Sequence, residues 1–154
     1  MKQVESESLP QLATRVTREA RMVLPGVQAL LGFQLVGVLD TRFELFGERE
    51  QQWYIAALVL IAVAMGLVMA PAAYQRIAEF DVVSRRFIVF ASIALTLAMA
   101  PLGVGICIDL YLISHLILGR PEVCLTISLV VGLLLVALWF VLPLAMRLRR
   151  LKQP

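Results

Sequence analysis

The sequence predicts an all-α integral membrane protein, a bundle of four membrane-spanning helices formed by a single domain over residues 1–154. Hydrophobic residues make up 60% of the chain and charged residues only 16%, and the mean hydropathy is +0.87. Soluble domains are ~45–50% apolar and ~25% charged. The apolar residues are gathered into four long runs, without the period-two alternation that a membrane β-barrel requires.

The four runs cover residues 23–39, 53–74, 87–108 and 123–146. Each is near the ~17 to 25 residues that cross the hydrocarbon core as a helix. Lipid offers no hydrogen bonds to the peptide backbone, so each run is expected to be helical. A belt of aromatic side chains at the outer membrane surface is expected from Phe43, Phe46, Trp53 and Tyr54.

Residues 9–22, which precede the first run, are predicted to form an amphipathic helix. Apolar side chains recur at helical spacing along one face: Leu9, Leu12, Val16, Ala20 and Val23. Ser8 and Gln11 have the spacing of a capping box at its start. Such a helix is expected to lie in the interface of the inner leaflet. The alternative is that it recruits a partner protein.

The positions of the lysines and arginines predict the orientation. All but three of the fourteen lie in the N-terminal segment, between the second and third runs, or in the C-terminal tail; the exceptions are Arg42, Arg49 and Arg120. Loops rich in these residues stay in the cytoplasm, so both termini are expected there. The basic residues flank apolar runs and do not line one face, so nucleic acid is not expected as a partner.

Small residues, which let membrane helices approach closely, form stripes along the runs. Run by run, they are Gly26, Ala29 and Gly37; Ala62, Gly66, Ala70 and Ala73; Ala91, Ala94, Ala98 and Pro101; Ser128 and Gly132. We expect these stripes to be the seams inside the bundle. Because four spans make a small membrane protein, we also expect a homo-oligomer or association with other membrane subunits, besides contact with the lipid bilayer.

Polar residues collect at the predicted cytoplasmic end of the bundle: Arg21, Gln28, Tyr74, Gln75 and Arg76. Pro25, Pro71 and Pro143 fall at the same end. A proline leaves a carbonyl of the preceding turn without its backbone donor, so the five polar residues are a candidate pocket or gate. The alternative is that the prolines only start or kink helices while Arg76 reaches the lipid phosphates.

Asp109, directly after the third run, is the one acidic residue that competes as an ion-binding carboxylate. Counting from Arg86 at ~1.5 Å per residue reaches Asp109 after about 33 Å, beyond a hydrocarbon core of ~30 Å. Asp109 is therefore expected to mark the outer boundary of the third run, without a buried partner. The alternative is a buried ion-binding site. Gln34, in the first run, is expected to hydrogen-bond across to another helix.

The two cysteines flank the loop between the third and fourth runs. Cys107 and Cys124 could form a disulfide in an oxidising compartment, and buried free thiols are an equally ordinary alternative. No CxxC or HExxH pattern occurs in the sequence, so neither a metal site nor a cofactor is expected. No nucleophile elbow or phosphate-binding glycine loop occurs either, so an enzyme is not expected.

The first half of the chain contains LPGVQ at residues 24–28, RF at residues 42–43 and APAAYQR at residues 70–76. These stretches resemble a family of small bacterial four-span membrane proteins of unknown function. The resemblance implies the bacterial inner membrane, and some members carry the automatic label sodium:proton antiporter. The family pattern often has histidine where this chain has Gln75. Since an amide does not titrate near neutral pH, proton coupling at that position is not expected.

Two functions remain as hypotheses from the sequence. The first is a non-enzymatic structural or accessory subunit of an oligomer or of a larger membrane complex, which follows from the small-residue stripes and the scarcity of ionisable groups in the runs. The alternative is a small ion-coupled transporter that uses Asp109 or the polar cluster.

Overall fold

The computed structural model describes residues 9–78 and 84–151. The elements are α1 (Leu9–Leu39), a 3₁₀ helix (Thr41–Leu45), α2 (Glu48–Ala78), α3 (Arg85–Leu118), α4 (Pro121–Val136), a π-helical turn (Ala137–Val141) and α5 (Leu142–Leu151). Four helical stretches are long and apolar enough to cross a membrane, the last formed by α4, the π turn and most of α5. The predicted all-α fold with four membrane-compatible helices is confirmed. Ser8 of the predicted capping box lies outside the described residues.

α1 runs without interruption through both the amphipathic segment 9–22 and the first apolar run. The middle of the apolar face is buried in the protein, since Val16 and Ala20 are buried and Val16 packs with Phe87 and Ala91 of α3, whereas Leu9 and Val23 at its ends are exposed. The first turns of α3 lie beside this part of α1 and cover its apolar residues. Burial against protein removes apolar surface from water as burial in lipid would. The segment is therefore part of a bundle helix and not a separate helix on the membrane surface.

Buried residues recur at intervals of three, four and seven along three helices, the spacing of left-handed helix packing. On α1 they are Ala13, Val16, Ala20, Val27 and Gln34. On α2 they are Tyr54, Ala57, Ile61, Ala64, Val68 and Pro71. On α3 they are Phe87, Ala91, Ala94, Ala98, Gly105, Asp109 and Leu112. These stripes form the core between α1, α2 and α3, and two polar side chains, Gln34 and Asp109, belong to it.

The small residues predicted as seams fall on two kinds of surface. On α3, Ala91 and Ala98 are buried, as expected. On α2, Ala62, Gly66 and Ala73 are exposed, and a Cβ atom added at Gly66 would meet nothing within 4 Å. For α2 the prediction was wrong, because other residues of the helix hold the inward positions. The small-residue stripe of α2 faces away from the protein.

α4 packs chiefly on α3, at the edge of the core. Ser128 donates a hydrogen bond of 2.6 Å from its hydroxyl to the backbone carbonyl of Cys107. Gly132 allows close approach, because a Cβ atom there would lie 3.0 Å from the Cys107 Sγ atom. Most other side chains of α4 point away from the protein. The helix therefore presents a long apolar surface to its surroundings.

The bundle has a terminal end, with the start of α1 and the end of α5, and a distal end, with the 3₁₀ helix and the α3–α4 turn. Gly119 makes that turn in the left-handed conformation, with φ of 62°, which glycine adopts readily. Its N–H donates to the His115 carbonyl at 2.9 Å. Residues 110–118 continue α3 as a helix, so this segment belongs to the bundle and does not fold along the membrane surface.

Candidate functional site

The candidate site is formed by two polar side chains that meet across the helix core, Gln34 of α1 and Asp109 of α3. Gln34 follows Val27 by seven residues on the buried face of α1, which returns it to the same face of the helix. Asp109 lies between Gly105 and Leu112 on the buried face of α3. The packing of α1 on α3 therefore brings the two side chains together at one level of the bundle.

The two side chains are joined by a short hydrogen bond. The Gln34 Nε2 atom donates to the Asp109 Oδ2 atom at 2.7 Å. Only 4% of Gln34 and 8% of Asp109 is exposed. The sequence-based expectation that Gln34 bonds to another helix is confirmed. The partner, Asp109, was not foreseen.

Tyr54 of α2 adds a third helix to the site. Its hydroxyl donates a hydrogen bond of 2.7 Å to the backbone carbonyl of Gln34. The tyrosine reaches α1 across Gly37, where an added Cβ atom would overlap the Tyr54 hydroxyl oxygen. A glycine at position 37 is therefore a condition for this bond. The sequence predicts Tyr54 in an aromatic belt, and the structure instead buries it beside the site.

Two oxygen atoms of the pair are left without a hydrogen-bond partner among the described residues. They are the Gln34 Oε1 atom and the Asp109 Oδ1 atom, both buried. Buried polar atoms nearly always have a partner, so each exception requires an explanation. Both atoms are acceptors, and an amide oxygen beside an ionised carboxylate offers no hydrogen to either. The two unused acceptor oxygens can therefore bind a proton, a cation or a hydrogen-bond donor of a ligand.

An apolar layer covers the site toward the distal end. Leu112, Phe46 and Tyr54 form one buried cluster, with Phe43 packed against it. The ring of Phe43 meets that of Tyr54 edge-on, with centroids 5.3 Å apart. Leu112 is fully buried. Tyr111 also packs against this cluster, and Gln51 donates hydrogen bonds to the Phe43 and Phe46 carbonyls. The layer lies between Asp109 and the distal surface.

A histidine–carboxylate contact, which is an ion pair when His115 is protonated, lies on the far side of that layer. The His115 Nδ1 atom is 2.9 Å from the Glu50 Oε1 atom, and about a third of each side chain is exposed (32% and 28%). The ring of Tyr111 stacks on the His115 ring at a centroid distance of 5.9 Å. His115 follows Asp109 by six residues of α3, which is about 9 Å along a helix at ~1.5 Å per residue. Asp109 therefore lies below the polar surface of the bundle.

The side of the site toward the terminal end is closed by tight packing of α2 against α3. Ala57 and Ile61 are fully buried. A Cβ atom at Gly105 would lie 2.8 Å from the Ile61 Cγ1 atom and 3.3 Å from the Ala57 carbonyl oxygen. The space that a side chain at position 105 would need is thus occupied by the Ile61 side chain of α2. The pair is enclosed in both directions along the bundle.

The prediction that Asp109, at the outer boundary of the third run, has no buried partner is wrong, because it accepts the Gln34 hydrogen bond in the core. That estimate used the rise along α3 alone. In the structure, α1 and α2 extend beyond Asp109 at the distal end, and Leu112 and Phe46 cover it there. Ala91, Ala98 and Gly105 recur every seven residues on one face of α3. Asp109 lies one helical turn after Gly105 on the same face, and this spacing was the sequence signal for its burial.

The polar residues predicted at the terminal end are not gathered into a pocket by the described structure. Arg21, Gln28 and Arg76 are exposed, and Gln75 is half-buried. Tyr74 instead packs on α3, with its ring 5.0 Å from the Phe90 ring and 6.1 Å from the Phe87 ring. Within residues 9–78 and 84–151, the five cluster residues make no hydrogen bond or ion pair with one another.

Both cysteines are free thiols, Cys107 half-buried and Cys124 buried. Of the two alternatives that the sequence leaves open, a disulfide and free thiols, the structure has the free thiols, and Cys107 faces Gly132, two turns along the chain from Cys124. Among the described residues, no group of three or more His, Cys, Asp or Glu side chains is placed to hold a metal ion.

Four apolar helices with a buried carboxyl–carboxamide pair between two of them define a multi-pass membrane protein. The chain belongs to the family of unknown function DUF6328, which matches residues 5–143. No curated protein and no solved structure matches the chain. The family match includes both residues of the buried pair and assigns no activity to them.

Proposed function

We propose that this protein is a small ion-coupled transporter of the sodium:proton antiporter type, with Asp109 as the ion-binding group. The observation that supports the proposal is the buried Asp109–Gln34 pair with its two unpartnered oxygen atoms. An ionisable side chain inside the membrane is costly to keep and commonly marks an ion pathway. The fold alone does not require a carboxyl group at this position.

A coupled exchanger must load and release its ion at one site that opens to each side in turn. The Asp109–Gln34 pair lies between the apolar layer of Leu112 and Phe46 and the tight contact of Ile61 with Gly105. This arrangement is compatible with an occluded state, in which the ion site is open to neither side.

The proposal includes an orientation. Lysines and arginines are concentrated at the terminal end of the bundle, and by the positive-inside rule this supports a cytoplasmic position for that end and both termini. With the family resemblance, the membrane is the bacterial inner membrane. The distal end, with the His115–Glu50 ion pair, then faces outward. No catalytic reaction is proposed for this chain.

Flux measurements test the transporter proposal. The purified protein is reconstituted into liposomes that carry a pH-sensitive dye, and a pH gradient is imposed with sodium or with choline outside. We expect sodium-dependent proton movement with the wild-type chain and its loss with Asp109→Asn. The matched control is Asp40→Asn, an exposed aspartate of the distal end, which should retain the flux. Absence of flux in the wild type, or full flux in Asp109→Asn, would contradict the proposal.

The second candidate function is that of a non-enzymatic structural or accessory subunit, as an oligomer or within a larger membrane complex. It is favoured by the exposed small-residue stripe of α2, which includes Ala62 and Gly66. Small residues four apart on a membrane-facing surface are typical of helix association in lipid. A groove of about 760 Å³ between α3 and α4, bordered by Gly103, Cys107 and Trp139, adds to this apolar surface.

Oligomeric state tests the second candidate. We expect Gly66→Leu to shift the detergent-solubilised protein to a smaller assembly, measured by light scattering, because a large side chain keeps facing helices apart. Gly32→Leu is the matched control, since Gly32 is also exposed and also has nothing within 4 Å of its missing Cβ. If Gly66→Leu leaves the size of the assembly unchanged, the α2 stripe is not the surface through which the protein associates.

A further inference from the structure

We infer that the ion held at this site in its enclosed state is a proton, carried by Asp109 as a neutral carboxylic acid paired with the Gln34 carboxamide through two hydrogen bonds. The inference rests on the proposed function in taking Asp109 as the ion-binding group, and it deepens that function by naming the ion. It is tested by a measurement that does not depend on transport.

The hydrogen-bond inventory of the pair leads to the proton. The Gln34 Nε2 atom already donates to the Asp109 Oδ2 atom at 2.7 Å. The remaining oxygen atom of each side chain, Asp109 Oδ1 and Gln34 Oε1, has no donor among the described residues. A carboxylate and an amide oxygen are both acceptors, whereas a carboxylic acid is a donor at its hydroxyl. One proton on Oδ1 therefore converts two unpartnered acceptors into a donor and an acceptor.

The step that loads the site forms one O–H bond on Asp109 and breaks one O–H bond of a hydronium ion, which becomes water. Release breaks the same bond and returns the proton to water. The paired amide and acid resemble a cyclic dimer, in which each group donates once and accepts once. In a medium that excludes water, such full pairing removes the large cost of an unpaired polar group. Loading thus leaves the pair neutral and fully hydrogen-bonded.

A sodium ion fits the same surroundings less well. Hard cations are bound by several oxygen ligands at once, and the described residues offer two free side-chain oxygens at this level. The Gln34 carbonyl oxygen already accepts the Tyr54 hydroxyl. Ala57 and Ile61 pack beside the site without a polar atom in their side chains, and Gly105 is in close contact with Ile61. A proton needs no such coordination shell.

The charged and titratable groups around the pair come from each helix that packs there. α2 contributes Tyr54, which bonds to Gln34, and, beyond the apolar layer, Glu50 in its ion pair with His115 of α3. α1 contributes the exposed Asp40 at its end. α4, on the other side of α3, contributes the thiol of Cys124. No basic side chain among the described residues forms an ion pair with Asp109, so no fixed positive charge holds it ionised.

Infrared spectroscopy of the reconstituted protein tests the inference. The chain has three aspartates, Asp40, Asp81 and Asp109, so labelling aspartate with ¹³C at the carboxyl group identifies their bands. We expect a carboxylic acid C=O band at neutral pH that is absent in Asp109→Asn and present in Asp40→Asn. The band should be present in choline chloride and should weaken as sodium replaces choline, because exchange at one site requires sodium to displace the proton from Asp109. Three ionised aspartates at neutral pH in choline chloride would overturn the inference, and a band that sodium leaves unchanged would overturn sodium exchange at this site.

A second variant tests the pairing with Gln34 and does not remove the carboxyl group. Gln34→Met keeps the size of the side chain and removes both the donor and the acceptor. We expect the acid band to move to higher wavenumber, because the acid loses its hydrogen-bonded partner. Circular dichroism confirms that the variant is folded. An unmoved band in a folded Gln34→Met variant would show that the acid is not paired with the amide.

The two proposals fail in different ways. An acid band at Asp109 without any proton flux in liposomes would leave the proton site in place and remove the transporter function. Sodium-dependent flux that Asp109→Asn abolishes, with no acid band at neutral pH, would leave the transporter function and replace the proton by another ion.

Discussion

The carboxamide of Gln34 donates a 2.7 Å hydrogen bond to the carboxyl group of Asp109, a residue 75 positions further along the chain. Both side chains belong to the buried stripes of their helices. The bond therefore does two things at once. It joins α1 to α3 in the core, and it places an ionisable group where neither end of the bundle gives direct access.

The first prediction compares two replacements of Asp109. An asparagine offers Gln34 one acceptor and one donor, so two amides can pair, whereas alanine leaves the buried carboxamide of Gln34 without a partner. We expect the free energy of unfolding of Asp109→Asn to stay within about 0.6 kcal/mol of wild type. That of Asp109→Ala should fall by about 1 to 3 kcal/mol. Unfolding by titration with SDS in mixed micelles measures both. Equal losses would show that pairing with Gln34 does not stabilise the fold.

The second prediction concerns Gly37, which leaves space for the Tyr54 hydroxyl. Gly37→Ala should lower the free energy of unfolding by about 1 to 3 kcal/mol, as overpacking does. In a Tyr54→Phe background the same change should cost less than half as much. The reason is that the overlap is with the hydroxyl oxygen, while the ring carbon Cζ would be 3.5 Å from the new Cβ atom. The double-mutant cycle measures this coupling, and additive losses would contradict the contact.

The third prediction tests the close contact of α2 with α3 at Gly105. Gly105→Ala should lower the free energy of unfolding by about 1 to 3 kcal/mol, because the new Cβ atom would lie 2.8 Å from Ile61 Cγ1. Ile61→Ala should relieve most of that loss. Gly32→Ala is the control, since nothing lies within 4 Å of its added Cβ; it should leave stability unchanged or raise it by up to about 1 kcal/mol. A similar loss at both glycines would contradict the packing argument.

The fourth prediction concerns the Glu50–His115 ion pair at the distal end. Glu50 also accepts a hydrogen bond of 3.1 Å from the Gly47 N–H at the start of α2 through its second oxygen. Glu50→Gln keeps that acceptor and removes the charge, so we expect a loss of less than about 1 kcal/mol. The loss should shrink as salt is added, because ions screen partly exposed charges.

Glu50→Ala provides the comparison for this pair. It removes both the charge and the acceptor for the Gly47 N–H, and should therefore destabilise the protein more than Glu50→Gln, by an additional loss on the order of a capping bond, about 1 kcal/mol. Chemical unfolding at low and at high salt measures both variants. If added salt does not change the difference in free energy of unfolding between wild type and Glu50→Gln, the pair makes no electrostatic contribution.

The four helices and their approximate positions follow from local properties of the chain. Long apolar runs have one way to satisfy their backbone in lipid, and that is to form helices. The expectation that Gln34 bonds to a neighbouring helix has the same basis, since an amide in an apolar run needs a partner. Hydropathy carries no information about which neighbour supplies it.

Two expectations failed because they ignored the neighbouring helices. Asp109 was expected to lack a buried partner by counting along α3, but α1 and α2 extend beyond it and cover it. Ala62 and Gly66 were assigned to an inner seam by their size, but the rotation of α2 about its own axis turns them outward. On α2, the face that contains Ala57, Ile61 and Ala64 is buried in the bundle. The small residues of the same helix lie on a different face, so both faces cannot point inward.

By itself, the sequence determined that this is a four-helix membrane protein with an amide and a carboxyl group in or near its apolar runs. Only the tertiary structure decided that the two groups meet, that Tyr54 joins them, and that apolar side chains enclose them. The reason is that a side chain's depth and partners depend on how neighbouring helices are rotated and how far they extend. Those are properties of the packed bundle, to which every helix contributes, and no single run of residues contains them.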